Sequence, residues 1–440
     1  MFARRFRKPD VPWPPGALLV GGAVRDLLLG REPGDYDWLV PDPAAAAGWL
    51  AAAAGGSAFQ VDSERGYWRV AGGAAEHDLV PLPPGGLESD LARRDFTVNA
   101  IALNESGSLR DPLGGRADLR RRLLRAPSRH NLREDPLRVL RAVRLATSLR
   151  LRIEEGTASW IREVAGGLRE GDLAEPAPER VRDELTAIME GELPADALDL
   201  AERLGLLDVF LPELAAGRDI EQPAMHHLDV LGHSIEALRR LTATFPDADL
   251  ATRWATLLHD VGKPACRSWD HARQRWSYFG HDQAGAEIAR AIMERLRYPH
   301  ALRDRVAALV DRHMAQLPAA ERPARRFAHR NRQLLPELLQ LMLADREAAR
   351  GPRSSTGSRL AYQRAMSLVL GALQQGGPPA PLLDGRQIMQ HLGLEPGPAV
   401  GRAVAFLAEA QAVGDAADEE GARAALTRWA RAQGISRNEN

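Results

Sequence analysis

The sequence predicts an α+β fold in which a mixed α/β segment is followed by a long helical body. Short apolar runs bounded by Gly or Pro, which are typical of strands, are confined to the first ~110 residues. From Arg120 to about Arg350, apolar residues instead recur at helical spacing. Polar or Gly- and Pro-rich breaks divide the chain near Asp111 to Gly115, near Gly217 to Pro223 and at Gly351 to Ser358.

The composition limits the class of protein. A chain of 440 residues is too long for one ordinary core and is expected to divide into several domains. No apolar stretch approaches the ~18 residues of a membrane span, and no secretory signal is visible, so we expect a soluble cytoplasmic protein. Cys266 is the only cysteine, which excludes an internal disulfide and a cysteine-based zinc cluster. Any metal ion would therefore be bound by Asp, Glu and His.

Charge is unevenly distributed along the chain. The formal net charge is −1, yet twelve arginines and only three acidic residues lie between Arg116 and Arg152. Such a segment is a candidate for binding anions. The alternative is a solvated helical face in an arginine-rich protein, since lysine occurs only at positions 8 and 263.

Four strands are predicted in the first part of the chain. The first strand leads into a Gly21-Gly22 turn and a short helix that ends near Gly30. The first turn of such a helix presents backbone N–H groups to an anion. The predicted strands are Ala17 to Val20, Asp35 to Val40, Tyr67 to Ala71 and Glu76 to Val80.

The second predicted strand carries two carboxylates. Asp35 and Asp37 are two residues apart, so both point to one face of the strand, while Tyr36 and Trp38 point to the other. Two like charges side by side favour a bound cation. Mg²⁺ ions held in this way bind a nucleoside triphosphate and assist phosphoryl transfer. The alternative is a surface strand with solvated acids.

A third carboxylate is expected from the hairpin formed by the last two strands. Asp78 and Glu76 lie on the same face of that strand, and we favour Asp78.

Five motifs carry a resemblance to a known family. GGAVRDLLLG, DYDWLV, ESDLARRDFTVNAIAL, DPLGGRADLRRRLLRA and EDPLRVLRAVRLA resemble, in order and spacing, the bacterial-type (class II) tRNA nucleotidyltransferase and poly(A) polymerase family. The resemblance implies a polymerase-β-like palm with Asp35 and Asp37 as magnesium ligands. It also implies that Gly22 and Arg25 contact the triphosphate and that Arg94 contacts the nucleotide.

The last of these motifs places one acid and three arginines at intervals of three residues. On a helix, Asp135, Arg138, Arg141 and Arg144 would form a gradually drifting row. Asp135 and Arg138 match the Watson–Crick edge of a base, while Arg141 and Arg144 suit phosphates. The resemblance implies that these side chains replace a nucleic-acid template. The alternative is a helix stabilised by salt bridges.

A second motif series lies in the helical body and consists of His and Asp. Imidazoles and carboxylates suit a divalent transition metal. The series resembles the HD superfamily of metal-dependent phosphohydrolases, which implies phosphatase or 2′,3′-cyclic phosphodiesterase activity; the alternative is an empty relic. His226 and His227 are rivals for the first position. The expected ligands are His233, His259, Asp260, His281, His313 and Asp345.

The motifs and breaks together predict four parts. A further match to the family lies in DGRQIMQHLGLEPGPAVGRAVAFLAEAQ, whose Gly393 to Pro398 segment is either a phosphate-binding loop or an ordinary linker. The predicted parts are residues 1–116, a nucleotidyltransferase head; 117–218, a helical neck that binds RNA and nucleotide; 219–350, an HD domain; and 351–440, a helical tail.

One segment departs from the family pattern. Between Asp78 and Arg93 the chain has only LVPLPPGGLESDLA, where many members carry a longer, Arg-containing loop. In the family, loss of that loop is associated with enzymes that add only CC and leave the terminal A to a partner enzyme. The short segment therefore puts full CCA synthesis in doubt.

The predicted function is Mg²⁺-dependent transfer of CMP, AMP or both, from CTP and ATP, to the 3′ end of tRNA, with HD hydrolysis as a second activity. A poly(A) polymerase shares every head motif. An HD phosphohydrolase whose first domain only binds RNA is a rival of another class. An inactive RNA chaperone is disfavoured by the intact carboxylates.

Overall fold

The computed structural model describes residues 8–72, 75–222, 228–349, 356–374 and 380–435. Contacts divide the chain into two compact units, Met1–Ala215 and Ala216–Asn440. In these described ranges, no helix is long and apolar enough to cross a membrane.

The first unit contains a seven-stranded sheet of order β3-β4-β5-β2-β1-β6-β7. Strands β2 and β5 are parallel, and every other neighbouring pair in this sheet is antiparallel. The strands are β1 (Leu18–Val20), β2 (Asp35–Val40), β3 (Ser57–Asp62), β4 (Tyr67–Ala71), β5 (Glu76–Pro81), β6 (Ala102–Asn104) and β7 (Leu109–Arg110).

The α+β prediction is confirmed, and all four predicted strands are present. The sequence did not indicate β3, an edge strand of mostly exposed residues, because Ser57–Asp62 has no clear apolar alternation. The expectation that the chain is helical throughout after Arg120 is wrong in detail. Short strands β8 (Leu123–Leu124) and β9 (Arg152–Ile153) pair in parallel, and each is too short to give a periodic signal.

Helix α2 (Pro43–Ala54) shows how local sequence sets the elements around the sheet. The Asp42 side chain accepts a hydrogen bond from Ala45 N, Pro43 occupies the first turn, and Gly55 ends the helix in the left-handed conformation. The other helices of this unit are α1 (Gly22–Leu28), α3 (Gly86–Ala92), α4 (Gly115–Arg121), α5 (Arg129–Glu134), α6 (Arg138–Ser148), α7 (Glu155–Glu170), α8 (Pro178–Met189), α9 (Pro194–Arg203), α10 (Leu207–Phe210), α11 (Pro212–Ala215) and a 3₁₀ helix, Thr97–Asn99.

The two faces of the sheet differ. Helix α2 packs on β3, β4 and β5, and the side chains on that face, including Trp38, Val70 and Leu79, are buried. On the other face a smaller cluster that includes Val20, Leu39 and Leu91 covers only one end of β2. The Asp35 end of this second face stays open.

The second unit is mainly helical. Helix α12 contacts α13 and α17, and α13 also contacts α15, so these helices form one bundle around Trp254, Leu257 and Leu258. A separate apolar cluster around Ile388, Leu407 and Leu426 forms near the end of the chain. The elements are α12 (Val230–Thr244), α13 (Leu250–Leu258), β10 (Ser268–Asp270), β11 (Arg275–Ser277), α14 (His281–Arg295), α15 (His300–Arg312), α16 (Glu321–Arg330), a 3₁₀ helix (Arg332–Leu334), α17 (Glu337–Ala348), α18 (Thr356–Gln374), α19 (Gly385–Leu392), α20 (Pro398–Val413) and α21 (Glu419–Ala432).

Candidate active sites

The first candidate site is built by the register of three strands. Asp37 on β2 lies opposite Val20 of β1 on one side and Asp78 of β5 on the other. Asp35 lies opposite Glu76. Because side chains alternate along a strand, these carboxylates point to the open face of the sheet, as predicted for the Asp35 and Asp37 pair.

The glycine turn lies directly against this pair. Gly21 has a φ of +75°, and a Cβ atom there would lie 2.7 Å from Asp37 Oδ2 and 2.8 Å from Arg94 Nη1. Only glycine fits, both because of the backbone conformation and because of the close approach. The turn that leads into Gly22 and α1 is therefore held at the carboxylates, where the sequence placed it.

The pKa of the Asp37 carboxyl is raised by its surroundings. Burial raises the pKa of Asp37 to about 6, with smaller increases from Asp35, Asp78 and Asp95, while the Arg94 guanidinium lowers it. A carboxylate that is both desolvated and surrounded by like charges gains most from a cation. The oxygen donors and their charge suit Mg²⁺.

Asp78 is held by a cation of the protein itself. Arg69 on β4 donates from Nε to Asp78 Oδ1 at 2.6 Å and from Nη2 to Asp78 Oδ2 at 2.8 Å. Glu76 lies 3.6 Å from the same guanidinium. The role of Asp78 as a third metal ligand stays a prediction, and such a role would require it to share or exchange Arg69.

Two residues for which sequence reasoning named no role link the arginines of the site. Arg25 donates from Nη1 to Asn99 Oδ1 at 2.8 Å, and Asn99 donates from Nδ2 to Asp95 Oδ1 at 2.9 Å. Asp95 Oδ2 lies 3.6 Å from Arg141 Nη1. Both Asp95 and Asn99 lie in the RRDFTVNA motif, so a closer examination of that motif would have identified them.

The predicted helical row is partly wrong. Asp135 lies outside the helix, in extended backbone between α5 and α6, and α6 begins at Arg138. The cause is Pro136, which disfavours helical backbone for the residue before it. Asp135 instead receives two hydrogen bonds from Arg180 of α8, at 3.2 and 2.8 Å.

Two of the three arginines of the row are held by a buried acid. Arg141 Nε donates to Glu184 Oε1 at 2.9 Å, and Arg144 Nε donates to Glu184 Oε2 at 2.7 Å. Glu184 lies 43 residues after Arg141 and 40 residues after Arg144, so local spacing gave no signal for it. The carboxylate fixes both guanidinium groups on one side of the cleft.

A single cleft of about 800 Å³ collects these groups. Of the ten residues predicted for the first site, Asp78 is the one that does not line this cleft. Those that line it are Gly22, Arg25, Asp35, Asp37, Arg94, Asp135, Arg138, Arg141 and Arg144.

The second candidate site brings all six predicted His and Asp residues together. They come from helices or helix ends of the bundle, and their ligand atoms form two groups, each within 4.8 Å. The closest pairs are His233 Nε2 to Asp345 Oδ1 at 2.9 Å and His259 Nε2 to Asp260 Oδ2 at 3.2 Å. The groups are His233, His259 and Asp345, and Asp260, His281 and His313.

Backbone carbonyls orient the imidazoles. The Nδ1 atoms of His259, His281 and His313 lie 2.7 to 2.8 Å from the carbonyl oxygens three residues earlier in the chain. Each Nδ1 therefore carries the proton, and Nε2 points into the cluster. Within the described residues, the buried Nε2 atoms of His281 and His313 have no hydrogen-bond partner. Such atoms fit metal ligands.

The charges in this cluster require a cation. Burial lowers the pKa of His259, but Asp260 and Asp345 raise it, to a net value of about 10. Burial and the charge on His259 lower the pKa of His313 to about 4. Burial raises the pKa values of Asp260 and Asp345, but their hydrogen bonds and cationic neighbours hold both well below the usual range. A proton on His259 and the Lys263 ammonium thus balance the two carboxylates of the cluster.

Two further features shape this cluster. Lys263 Nζ lies 2.6 Å from Asp260 Oδ2 and 2.6 Å from Gln222 Oε1. A Cβ atom on Gly262 would lie 2.3 Å from the carbonyl oxygen of His281, so this glycine allows α14 to approach. The rival ligands His226 and His227 lie outside the described residues.

The fold and the two sites define a class. A mixed sheet with strand carboxylates, a glycine turn and an arginine-lined cleft is a nucleotidyltransferase head, and the second unit carries an HD domain. The sequence matches the family described as Poly A polymerase head domain over residues 75–125. It matches the family described as Probable RNA and SrmB- binding site of polymerase A over residues 150–217, and HD domain over residues 225–350.

Comparison with individual proteins narrows the class. The chain is 56% identical to an A-adding tRNA nucleotidyltransferase of Deinococcus radiodurans, over 97% of this chain and 98% of that protein. It is 43% identical to a CC-adding tRNA nucleotidyltransferase of Thermus thermophilus, over 96% of this chain and 95% of that protein. The solved Bacillus stearothermophilus CCA-adding enzyme in complex with CTP is 25% identical and covers 95% of this chain and 94% of its own, with a TM-score of 0.63. The chain belongs to the tRNA nucleotidyltransferase family.

Proposed function

We propose that this enzyme transfers AMP from ATP to the 3′-hydroxyl of a tRNA that already ends in CC. The convergence of two strand carboxylates with the arginines in one cleft carries the nucleotidyl-transfer part of this proposal. The choice of AMP is supported by the higher identity to the A-adding relative than to the CC-adding relative. One feature opposes this choice: by family resemblance, the short segment between Asp78 and Arg93 favours CC addition.

Asp35 and Asp37 hold Mg²⁺ in this proposal. Bound Mg²⁺ would lower the pKa of the attacking hydroxyl and stabilise the leaving pyrophosphate. Gly22 at the turn and Arg25 bind the triphosphate, and Asn99 orients Arg25. Arg94, which lies beside the turn, binds the nucleotide.

Four further residues contact the incoming nucleotide, and two of them select its base. Asp135 and Arg138 supply acceptors and donors for the edge of the base, while Arg141 and Arg144 supply positive charge for phosphates. Arg180 must release at least one oxygen of Asp135 before a base can donate to it.

We also propose an active HD site that hydrolyses a phosphate ester at an RNA end. His233, His259, Asp260, His281, His313 and Asp345 would hold a divalent transition metal, which would supply a metal-activated water. The orientation of the imidazoles supports this proposal, as do the buried Nε2 atoms of His281 and His313, which lack a hydrogen-bond partner within the described bundle.

We propose the four-part organisation set out above. The division of contacts after Ala215 and the separate family matches for head, RNA-binding region and HD domain support it. The cytoplasmic location stays a prediction.

One experiment tests the nucleotide added. The purified protein is incubated with Mg²⁺ and three tRNA transcripts that end before CCA, after C and after CC, with CTP and ATP supplied separately and together. We expect a single A on the transcript that ends in CC and none on the others. Addition of C would contradict A-specific transfer. Long A tails on an unstructured RNA would indicate a poly(A) polymerase, and no addition to any transcript would exclude nucleotidyl transfer.

The HD activity needs its own assay. Hydrolysis of bis-p-nitrophenyl phosphate and of an RNA ending in a 2′,3′-cyclic phosphate is measured with added Mn²⁺, Ni²⁺ or Co²⁺. The variant with Asp35→Ala and Asp37→Ala should hydrolyse both as the wild type does. If neither substrate is hydrolysed with any metal, the HD site is inactive.

A further inference from the structure

The open face of the first sheet extends well beyond the carboxylates. Residue pairing forms one row across four neighbouring strands: Asp37 of β2 lies opposite Asp78 of β5, Asp78 opposite Arg69 of β4, and Arg69 opposite Phe59 of β3. Side chains of such a row point to the same face. With neighbouring strands about 4.8 Å apart, Phe59 lies about 14 Å from Asp37.

The far end of this row is apolar and exposed. Phe59 is 47% exposed, Tyr67 on β4 is 37% exposed, and Val61 at the bulge of β3 is 57% exposed. Tyr67 is two residues from Arg69 and therefore shares its face. Large apolar side chains grouped on an open face indicate a binding surface.

This surface continues into the catalytic cleft. Arg65 and Tyr67 line the same cleft as Asp35 and Asp37. Arg65 is largely exposed, and its Nε atom lies 3.8 Å from Asp62 Oδ2, a long ion pair. Aromatic side chains beside arginine in a groove are the features by which proteins bind single-stranded nucleic acid.

The reaction itself indicates the occupant. In the proposed function, the triphosphate and base of the incoming nucleotide lie against the arginines of α1 and α6. The 3′-hydroxyl of the RNA must reach the same metal site, so the RNA needs another part of the open face. The part of the open face between Asp37 and Phe59 is long enough for the terminal nucleotide of the RNA and the nucleotide before it, which are both unpaired.

We propose that Phe59 and Tyr67 form a stacking surface for the unpaired 3′-terminal nucleotides of the RNA substrate. This inference rests on the proposed nucleotidyl transfer. The terminal ribose lies at the carboxylates, and the bases stack towards β3.

Trp49 provides a matched control. It lies on α2, which covers the opposite face of the sheet, and it is 42% exposed, close to the value for Phe59. Phe59→Leu and Tyr67→Leu remove the aromatic ring but keep apolar volume, and Phe59→Trp restores a ring. Trp49→Leu makes the same kind of change outside the proposed surface.

The experiment is steady-state kinetics of each variant with the transcript that the wild type extends. Phe59→Leu and Tyr67→Leu should raise KM for the RNA about tenfold, equivalent to about 1.4 kcal/mol of lost stacking. KM for the nucleotide and kcat at saturating RNA should not change. Phe59→Trp should restore KM for the RNA, and Trp49→Leu should match the wild type.

A spectroscopic measurement accompanies the kinetics. The fluorescence of a transcript with 2-aminopurine as its penultimate nucleotide should be quenched when the base stacks on the wild type or on Trp49→Leu. The quenching should be weaker with Phe59→Leu. The inference would be overturned if Phe59→Leu and Tyr67→Leu had the same KM for the RNA and the same quenching as Trp49→Leu. A rise confined to the nucleotide KM would also overturn it. Absence of incorporation by the wild type would instead contradict the proposed function.

Discussion

The two candidate metal sites of this chain differ in how they are enclosed and in how their charge is balanced. The carboxylates of the first unit lie on strands at an open face, with Asp35 exposed and Asp37 partly buried. The His and Asp residues of the second unit come from helices or helix ends of a bundle, and His233, His259 and Asp260 are almost fully buried.

This difference shows what each site must admit. The open site has to accept a nucleotide and an RNA end together, so its charges are balanced by arginines on long side chains, such as Arg69 and Arg94. The buried candidate site is almost fully enclosed, and Lys263 and a proton on His259 balance its carboxylates. Substitutions at the two sites should therefore have separable effects.

The largest expected effect is a reciprocal loss of activity. Asp37→Ala should reduce nucleotide incorporation at least a hundredfold, because it removes a proposed ligand of Mg²⁺, and should leave HD hydrolysis intact. His259→Ala should do the reverse. Both activities are measured on the same preparation of each variant. Full incorporation by Asp37→Ala would show that the catalytic centre lies elsewhere.

Metal removal should lower the thermal stability of the protein through the buried site and not through the open site. A buried cluster that binds metal only when folded gains about 2.7 kcal/mol at a metal concentration of 100 Kd. Chelation should therefore lower the Tm of the wild type, and His259→Ala should abolish that shift. Asp37→Ala, at the open site, is the control and should keep it. An equal response to chelation in all three proteins would mean that the cluster holds no metal.

Glu184 tests whether the arginines of the open site must be held in place. Glu184→Gln should raise KM for the nucleotide about tenfold, because charge-assisted hydrogen bonds to Arg141 and Arg144 contribute roughly 1.5–3 kcal/mol. The value of kcat should change much less. Asp183→Asn, on the same helix and exposed, is the control. An unchanged nucleotide KM in Glu184→Gln would remove Glu184 from any positioning role.

A pH-dependent effect is expected on the stability of the protein in the absence of metal. The folded pKa of Asp37, about 6, exceeds its usual value of 3.8. The protonated carboxyl therefore contributes stability at low pH that is lost as the pH rises through 6. Asp37→Asn should be more stable than the wild type in EDTA by about 3 kcal/mol at neutral pH and nearly equal to it near pH 3.

Urea unfolding across this pH range measures the difference. Asp35→Asn, at the exposed member of the pair, is the control and should show a smaller gain. A wild type that is as stable as Asp37→Asn at every pH would contradict the raised pKa.

The sequence by itself determined the features that depend on local spacing. The alternation in Asp35 to Val40 fixed which side chains share the catalytic face, because a strand repeats every two residues. The Gly21 turn and the series from His233 to Asp345 were likewise evident, because each needs particular residue types in a particular order. The fold class followed from where strand-type runs gave way to helical periodicity.

Only the tertiary structure decided which charged groups meet. Glu184 reaches Arg141 and Arg144 from a distant helix, Arg180 reaches Asp135, and Arg69 takes both oxygens of Asp78. The exposed edge strand β3 also appeared only in the fold. Local periodicity states which way a side chain points within its own element, but the partner it meets depends on how elements far apart in the chain pack together.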